Sequence, residues 1–267
     1  MATFAHRHRR SGRRSPLASA ALLLIGLLAT GAAYAAFTAT SSADAASQAQ
    51  VEKLQEEGNK LFVANCASCH GLEAAGTPDG PSLIGVGAAS VDFQVGTGRM
   101  PMAASGPQAE MKPVQFTEEQ ISALAAWVAS LGPGPAIPDE RYLQGDGDLA
   151  VGGELFRINC AMCHNVAGAG GALTQGKFAP PLTGVSAKHI YEAMIVGPQN
   201  MPVFNDANIT PEDKAAIISY LKYMENTTAP GGMELGSLGP VSEGLFVWIF
   251  ALGGIVAITV WLTAKSN

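Results

Sequence analysis

Charge is scarce in this 267-residue chain: only 14% of residues are Asp, Glu, Lys or Arg, against 48% hydrophobic. A wholly disordered chain, which needs little apolar content and much charge, is excluded. Base is scarcer still outside the N-terminus. Arg7, Arg9, Arg10, Arg13 and Arg14 crowd the first sixteen residues, which leaves eleven basic residues against twenty-two acidic ones, a balance of −11, in the rest. So acidic a body disfavours nucleic acid as a partner. Cysteine is limited to four residues, and nothing in the middle of the chain alternates in the manner of a strand. The length leaves room for two modest domains at roughly 100 to 150 residues each.

Charge is absent altogether between Arg14 and Asp44, and Leu17 to Phe37 is a 21-residue apolar run. As a helix it spans roughly 30 Å, one membrane crossing, with the arginines on its cytoplasmic flank. The small residues Ala33, Tyr34 and Ala35 would suit a signal peptidase, but the run is longer than an ordinary signal core, which favours a retained anchor. Leu245 to Ala264 is a second uncharged run, with Thr259 and Thr263 its only polar side chains. Trp248 and Trp261 near its ends and Lys265 beyond it predict a second crossing with the C-terminus cytoplasmic. The middle of the chain is thereby exported.

That middle contains a duplication. Gly58, Leu61, Phe62, Asn65, Cys66, Ala67, Cys69 and His70 recur 94 residues on as Gly152, Leu155, Phe156, Asn159, Cys160, Ala161, Cys163 and His164. Pro81, Leu83, Gly85 and Val86 then match Pro180, Leu182, Gly184 and Val185, and Met100-Pro101 matches Met201-Pro202, as the offset drifts from 94 to 99 to 101. Drift of this kind marks loops of different length on a repeated fold. Each copy closes on a helical pattern opened by a threonine. Thr117 precedes Ile121, Leu124, Trp127, Val128 and Leu131; Thr210 precedes Ile217, Tyr220, Leu221 and Met224. Gly132, Pro133, Gly134, Pro135 and Pro138 break the chain between the copies.

Both cysteine motifs are CxxCH, the attachment signature of c-type haem. Two cysteines three residues apart reach the two vinyl groups on one porphyrin edge, and the adjacent histidine is held beneath the iron. A shared zinc site would make the two matching histidines a coincidence, and a redox dithiol expects a βαβ pattern that is missing. We therefore read Cys66, Cys69, Cys160 and Cys163 as the attachment residues of two covalently bound haems c, with His70 and His164 as axial ligands. Met100 and Met201, at matching positions, are the expected sixth ligands. Thioether ligation raises the reduction potential, and a closed six-coordinate iron favours electron transfer. Met102 competes with Met100; Met111, Met194 and His189 have no counterpart in the repeat and read as packing or surface residues. Arg99 and Asn200, each just before a ligand methionine, are candidate donors to haem propionates.

With these motifs in place the chain resembles the dihaem cytochrome c (cytochrome cc) subunit of the actinobacterial menaquinol:cytochrome c oxidoreductase, the cytochrome bcc complex. The resemblance implies an all-α chain, two tandem class I cytochrome c domains flanked by N- and C-terminal transmembrane helices. Its expected divisions are a cytoplasmic basic tail (1–16), an N-terminal transmembrane helix or signal anchor (17–37), cytochrome c domain 1 (50–132), a linker (133–148), domain 2 (149–226), a second linker (227–243) and a C-terminal transmembrane helix (244–264). It also implies electron transfer from an iron-sulfur/cytochrome b core to cytochrome c oxidase, as a non-catalytic subunit of a translocase. The implied partners are cytochrome b, the Rieske subunit and the oxidase, in a dimeric supercomplex of the cell membrane with the haem domains extracytoplasmic. A dihaem subunit of a cbb-type oxidase is the alternative, expected to end after its second domain. A dihaem peroxidase is another, disfavoured because it needs one haem able to open a coordination site.

Overall fold

In the computed structural model, which describes residues 16–104, 106–227 and 235–264, the elements are almost all helical. Most of the basic tail, part of the 227–243 linker and Lys265 lie outside the described residues. Helix α1 covers Pro16–Asn65. It runs well past the apolar stretch because neither glycine nor proline occurs between Phe37 and Gly58. The chain forms two units, one ending at Lys53 and one beginning at Leu54. In the first, Pro16–Phe37 is long and apolar enough to cross a membrane, with a mean hydropathy of 2.0 and none of it buried.

The second unit carries both repeats. After α1 come α2 (Ala67–His70), α3 (Gly87–Gly96) and α4 (Glu118–Ser130). The second copy supplies α5 (Leu149–Asn159), α6 (Ala161–His164), α7 (Ala187–Val196) and α8 (Pro211–Asn226). The threonine signals hold: Thr117 and Thr210 each form a capping box, with Gln120 and Asp213 respectively. The unit closes with α9 (Pro240–Val247), one π turn at Trp248–Leu252 and α10 (Gly253–Ala264), a stretch of mean hydropathy 2.4 with none of it buried.

Each repeat buries its own core, built the same way. In the first, Phe62 of α1, Val91 and Val95 of α3, and Ile121, Leu124 and Val128 of α4 pack together. In the second the corresponding helices contribute Phe156, then Ile190, Tyr191 and Met194, then Ile217, Ile218 and Leu221. The repeated glycines set the helix crossing: a Cβ on Gly58 would meet the Ala123 carbonyl oxygen at 2.0 Å, and one on Gly152 would meet that of Ala216 at 2.0 Å. Only glycine lets α1 lie that close to α4, and α5 to α8. Beside each crossing an aromatic pair closes the wall, Phe62 with Trp127 at 4.3 Å and Phe156 with Tyr220 at 5.8 Å between ring centres.

One expectation fails in detail. The second copy contains a short antiparallel pair, β1 (Gly171–Ala172) and β2 (Phe178–Ala179), where no strand is predicted. Two residues are too few to show alternation. The pair accounts for the first step of the drift, from 94 to 99: His70 is eleven residues from its proline partner and His164 is sixteen from its own, and the added residues fall in this ribbon.

Two candidate haem-binding cores

Cys66 follows α1 directly and caps α2, with the Cys69 and His70 amides both donating to the Cys66 carbonyl at 3.1 and 3.0 Å. The same turn is made by Cys163 and His164 on Cys160, at 3.1 and 2.9 Å. One helical turn therefore presents two thiols and an imidazole from each motif. All four cysteines are free thiols. Burial and the neighbouring thiol push Cys66 and Cys160 each up to about 11. A redox dithiol works through its thiolate form, so the raised values oppose that reading.

The prolines of the repeat position the histidines. The imidazole Nδ1–H of His70 donates to the Pro81 carbonyl at 2.7 Å, and that of His164 to Pro180 at 2.9 Å. A donor hydrogen bond at Nδ1 fixes the tautomer and leaves the Nε2 lone pair for a metal. Burial lowers the basicity of His164, outweighing the Pro180 contact that raises it. Neutral imidazole is the ligating form.

Met100 lies against the first core together with Cys66, Leu61, Leu83 and Trp127; Met201 lies against the second with Cys160, Leu155, Leu182 and Tyr220. Residues far apart in sequence are thus brought to one core in each repeat. Met102 and Met111 are exposed, whereas Met194 is buried in the second core, as expected of a packing residue. Arg99 is buried, its guanidinium 4.8 Å above the Phe93 ring, and desolvation lowers its pKa. Asn200 is exposed and its Oδ1 accepts from Lys177 at 2.9 Å.

Two further lysines hold chain near the methionines, one around Met100 and one in the loop after Met201. Lys112 Nζ donates to the carbonyls of Gly98, Arg99 and Pro101 at 2.8, 3.3 and 2.6 Å, on both sides of Met100. Lys214 is fully buried beneath the 201–210 segment and bonds Asp206 Oδ1 and the Ile209 carbonyl, both at 2.7 Å. A signal for Lys214 exists: it falls three residues before Ile217 on the apolar face of α8, where a charge needs a partner. Lys112 sits in irregular chain and leaves no such trace.

The fold and its paired cores define a c-type cytochrome. Residues 55–132 match the cytochrome c family model, and residues 147–221 match the model described as cytochrome c oxidase, cbb3-type, subunit III. The cytochrome bc1 complex cytochrome c subunit of Corynebacterium efficiens is 42% identical over 97% of this chain and 93% of its own length. That of Mycobacterium tuberculosis is 43% identical over 97% of this chain and 95% of its own. The cbb3-type cytochrome c oxidase subunit FixP of Sinorhizobium medicae is 29% identical over 74% of this chain and 60% of its own length. The chain belongs to the family of cytochrome bc1 complex cytochrome c subunits. Its cytochrome c domains imply haem c, and its two apolar helices make it a membrane-anchored electron-transfer protein.

Proposed function

We propose that the chain is the dihaem relay of a quinol:cytochrome c oxidoreductase, taking electrons from the iron-sulfur and cytochrome b subunits and passing them to cytochrome c oxidase. The observation that carries this reading is the duplicated turn in which two thiols precede a histidine whose Nδ1 is committed to a proline carbonyl. That donor set fits haem c twice. Cys66 and Cys69 would hold one haem and Cys160 and Cys163 the other through thioethers, with His70 and His164 as proximal ligands and Met100 and Met201 as distal ligands. Bound haem supplies a one-electron iron couple, and thioether ligation sets it at high potential.

The chain's own residues do the rest. Pro81 and Pro180 hold each imidazole in the tautomer that presents Nε2. Lys112 anchors the backbone around Met100, and Lys214 the segment after Met201. Leu61, Leu83, Trp127, Leu155, Leu182 and Tyr220 provide apolar walls that keep water away. Methionine at both sites favours a carrier over a peroxidase, since neither iron would keep an open position. The full-length likeness to bc1 subunits, and the apolar Pro240–Ala264 stretch that follows the second domain, favour the bc assembly over a cbb-type oxidase. In this reading both termini are cytoplasmic, the cytochrome domains lie on the opposite face of the membrane, and the assembly is a dimeric supercomplex whose activity drives translocation. Purification in mild detergent with mass spectrometry of the co-purifying chains tests it: cytochrome b, an iron-sulfur protein and oxidase subunits are expected, and a cytochrome isolated free of all three would overturn it.

A further inference from the structure

The two cytochrome domains meet at a buried cluster of charge with an unmet need. Asp92 of α3, in the first domain, faces Lys188, His189 and Glu192 of α7, in the second. Lys188 Nζ lies 2.8 Å and His189 Nε2 3.6 Å from Asp92 Oδ2. Glu192 is 0% exposed, and neither of its carboxylate oxygens has a hydrogen-bond partner. Asp92 Oδ2, by contrast, is held by the Lys188 ammonium in an ion pair across the two domains. Orphan buried carboxylate oxygens are rare in folded proteins and point to an absent ion, water or proton.

Asp92, His189 and Glu192 each offer one ligand atom, all within 4.8 Å of one another. The set is chemically mixed, one imidazole and two carboxylates. The imidazole is steered in: a side chain on Gly96 would meet His189 Nε2 at 3.0 Å, and the ring stands edge-on to Phe93 with centres 6.1 Å apart. Ligands at about 2.0–2.2 Å around one zinc ion lie roughly 3.3–3.6 Å from each other. Asp92 Oδ2 and His189 Nε2 already meet that spacing, and a modest movement of the Glu192 side chain closes the third side. Lys188 is 31% exposed and can swing outward to solvent, yielding its place to a divalent ion.

We propose that Asp92, His189 and Glu192 form a divalent-cation site of zinc type that clamps the two cytochrome domains together. The ion would bridge domains through ligands from α3 and α7, and so fix the relation between the two cores.

Zinc itself is the probe. The full-length, haem-loaded protein in detergent is stripped with chelator, dialysed against a graded series of zinc concentrations, and its metal counted by elemental mass spectrometry. One zinc per chain is expected above any background shared by all variants. Glu192→Gln, which keeps shape and burial, and His189→Gln should each weaken that binding at least tenfold while leaving the haem spectrum unchanged. Lys188→Ala separates a metal site from a plain ion-pair contact: removing the competing ammonium should tighten zinc binding several-fold. Zinc retention equal in wild type, Glu192→Gln and His189→Gln would show adventitious metal only and overturn the proposal. So would wild-type protein that holds no zinc, with an infrared carbonyl band of protonated carboxylic acid that disappears in Glu192→Gln, because a proton would then satisfy the orphan oxygens.

Discussion

The carboxamide of Gln108 engages both backbone groups of Phe178: its Nε2 donates to the carbonyl and its Oε1 accepts from the amide, each at 2.9 Å. Gln108 belongs to the irregular chain after Met100, and Phe178 to the β ribbon of the second copy, where the first copy has a single bridge between Thr77 and Gly80. The insertion that makes the two repeats unequal is therefore one of the parts that the first domain grips. Net hydrogen bonds contribute about 0.5–1.5 kcal/mol each. Gln108→Ala should raise amide exchange at Phe178 by roughly tenfold while both cores keep their protection. Unchanged exchange at Phe178 would mean that the contact does not hold in solution.

The repeated glycines predict a matched pair of defects. Gly58→Ala and Gly152→Ala each drive a methyl group into a carbonyl across a helix crossing, and overpacking of this kind costs about 1–3 kcal/mol. Each variant should lower the thermal midpoint of its own domain by several degrees in calorimetry. A variant as stable as the parent would show that the helices can separate at no cost.

Lys112 is expected to act on the first haem site alone. Lys112→Met removes the donor to three carbonyls around Met100, so that segment loosens and methionine ligation is partly lost. About half of the long-wavelength methionine-to-iron charge-transfer absorbance of the oxidised protein should disappear, and one of two reduction potentials should fall. Lys112→Arg, which keeps the charge and the donors, should restore most of both. Identical spectra and potentials in all three proteins would remove Lys112 from any positioning role.

The apolar C-terminal stretch is expected to serve encounter rather than folding. Tethering gives a partner an effective concentration of roughly millimolar order when the linker can reach. Deleting residues 244–267 should leave both haems attached and reducible while quinol-dependent oxygen consumption by membranes collapses. Full respiration with the truncated chain would make the anchor dispensable and weaken the assignment to a fixed relay.

What the sequence disclosed, and what it hid, follows from range. The CxxCH turns, the threonine caps and the two apolar spans are local patterns, read within a dozen or two dozen residues, and the structure is helical at each of them, with α1 continuing past its span and the C-terminal helical stretch starting earlier, at Pro240. The prolines and glycines of the repeat were visible as matches, but their work was not: Pro81 accepts from a histidine eleven residues back, and Gly58 faces a carbonyl on another helix. Lys112, Gln108, Asp92 and Glu192 were missed because their partners come from the other side of a loop or from the other repeat. His189, which has no counterpart in the repeat, reads from the sequence as a surface or packing residue, and it packs between domains, with its imidazole facing Asp92.

The claim on which the rest depends is that two haems are covalently held, each by its own motif. The direct measurement is the pyridine haemochrome absorbance per mole of protein, with haem stain after denaturing electrophoresis, for the parent chain, Cys66→Ala/Cys69→Ala and Cys160→Ala/Cys163→Ala. The account predicts two haem equivalents in the parent and one in each double variant, all retained through denaturation. One equivalent or none in the parent, or a double variant that still carries two, would contradict it.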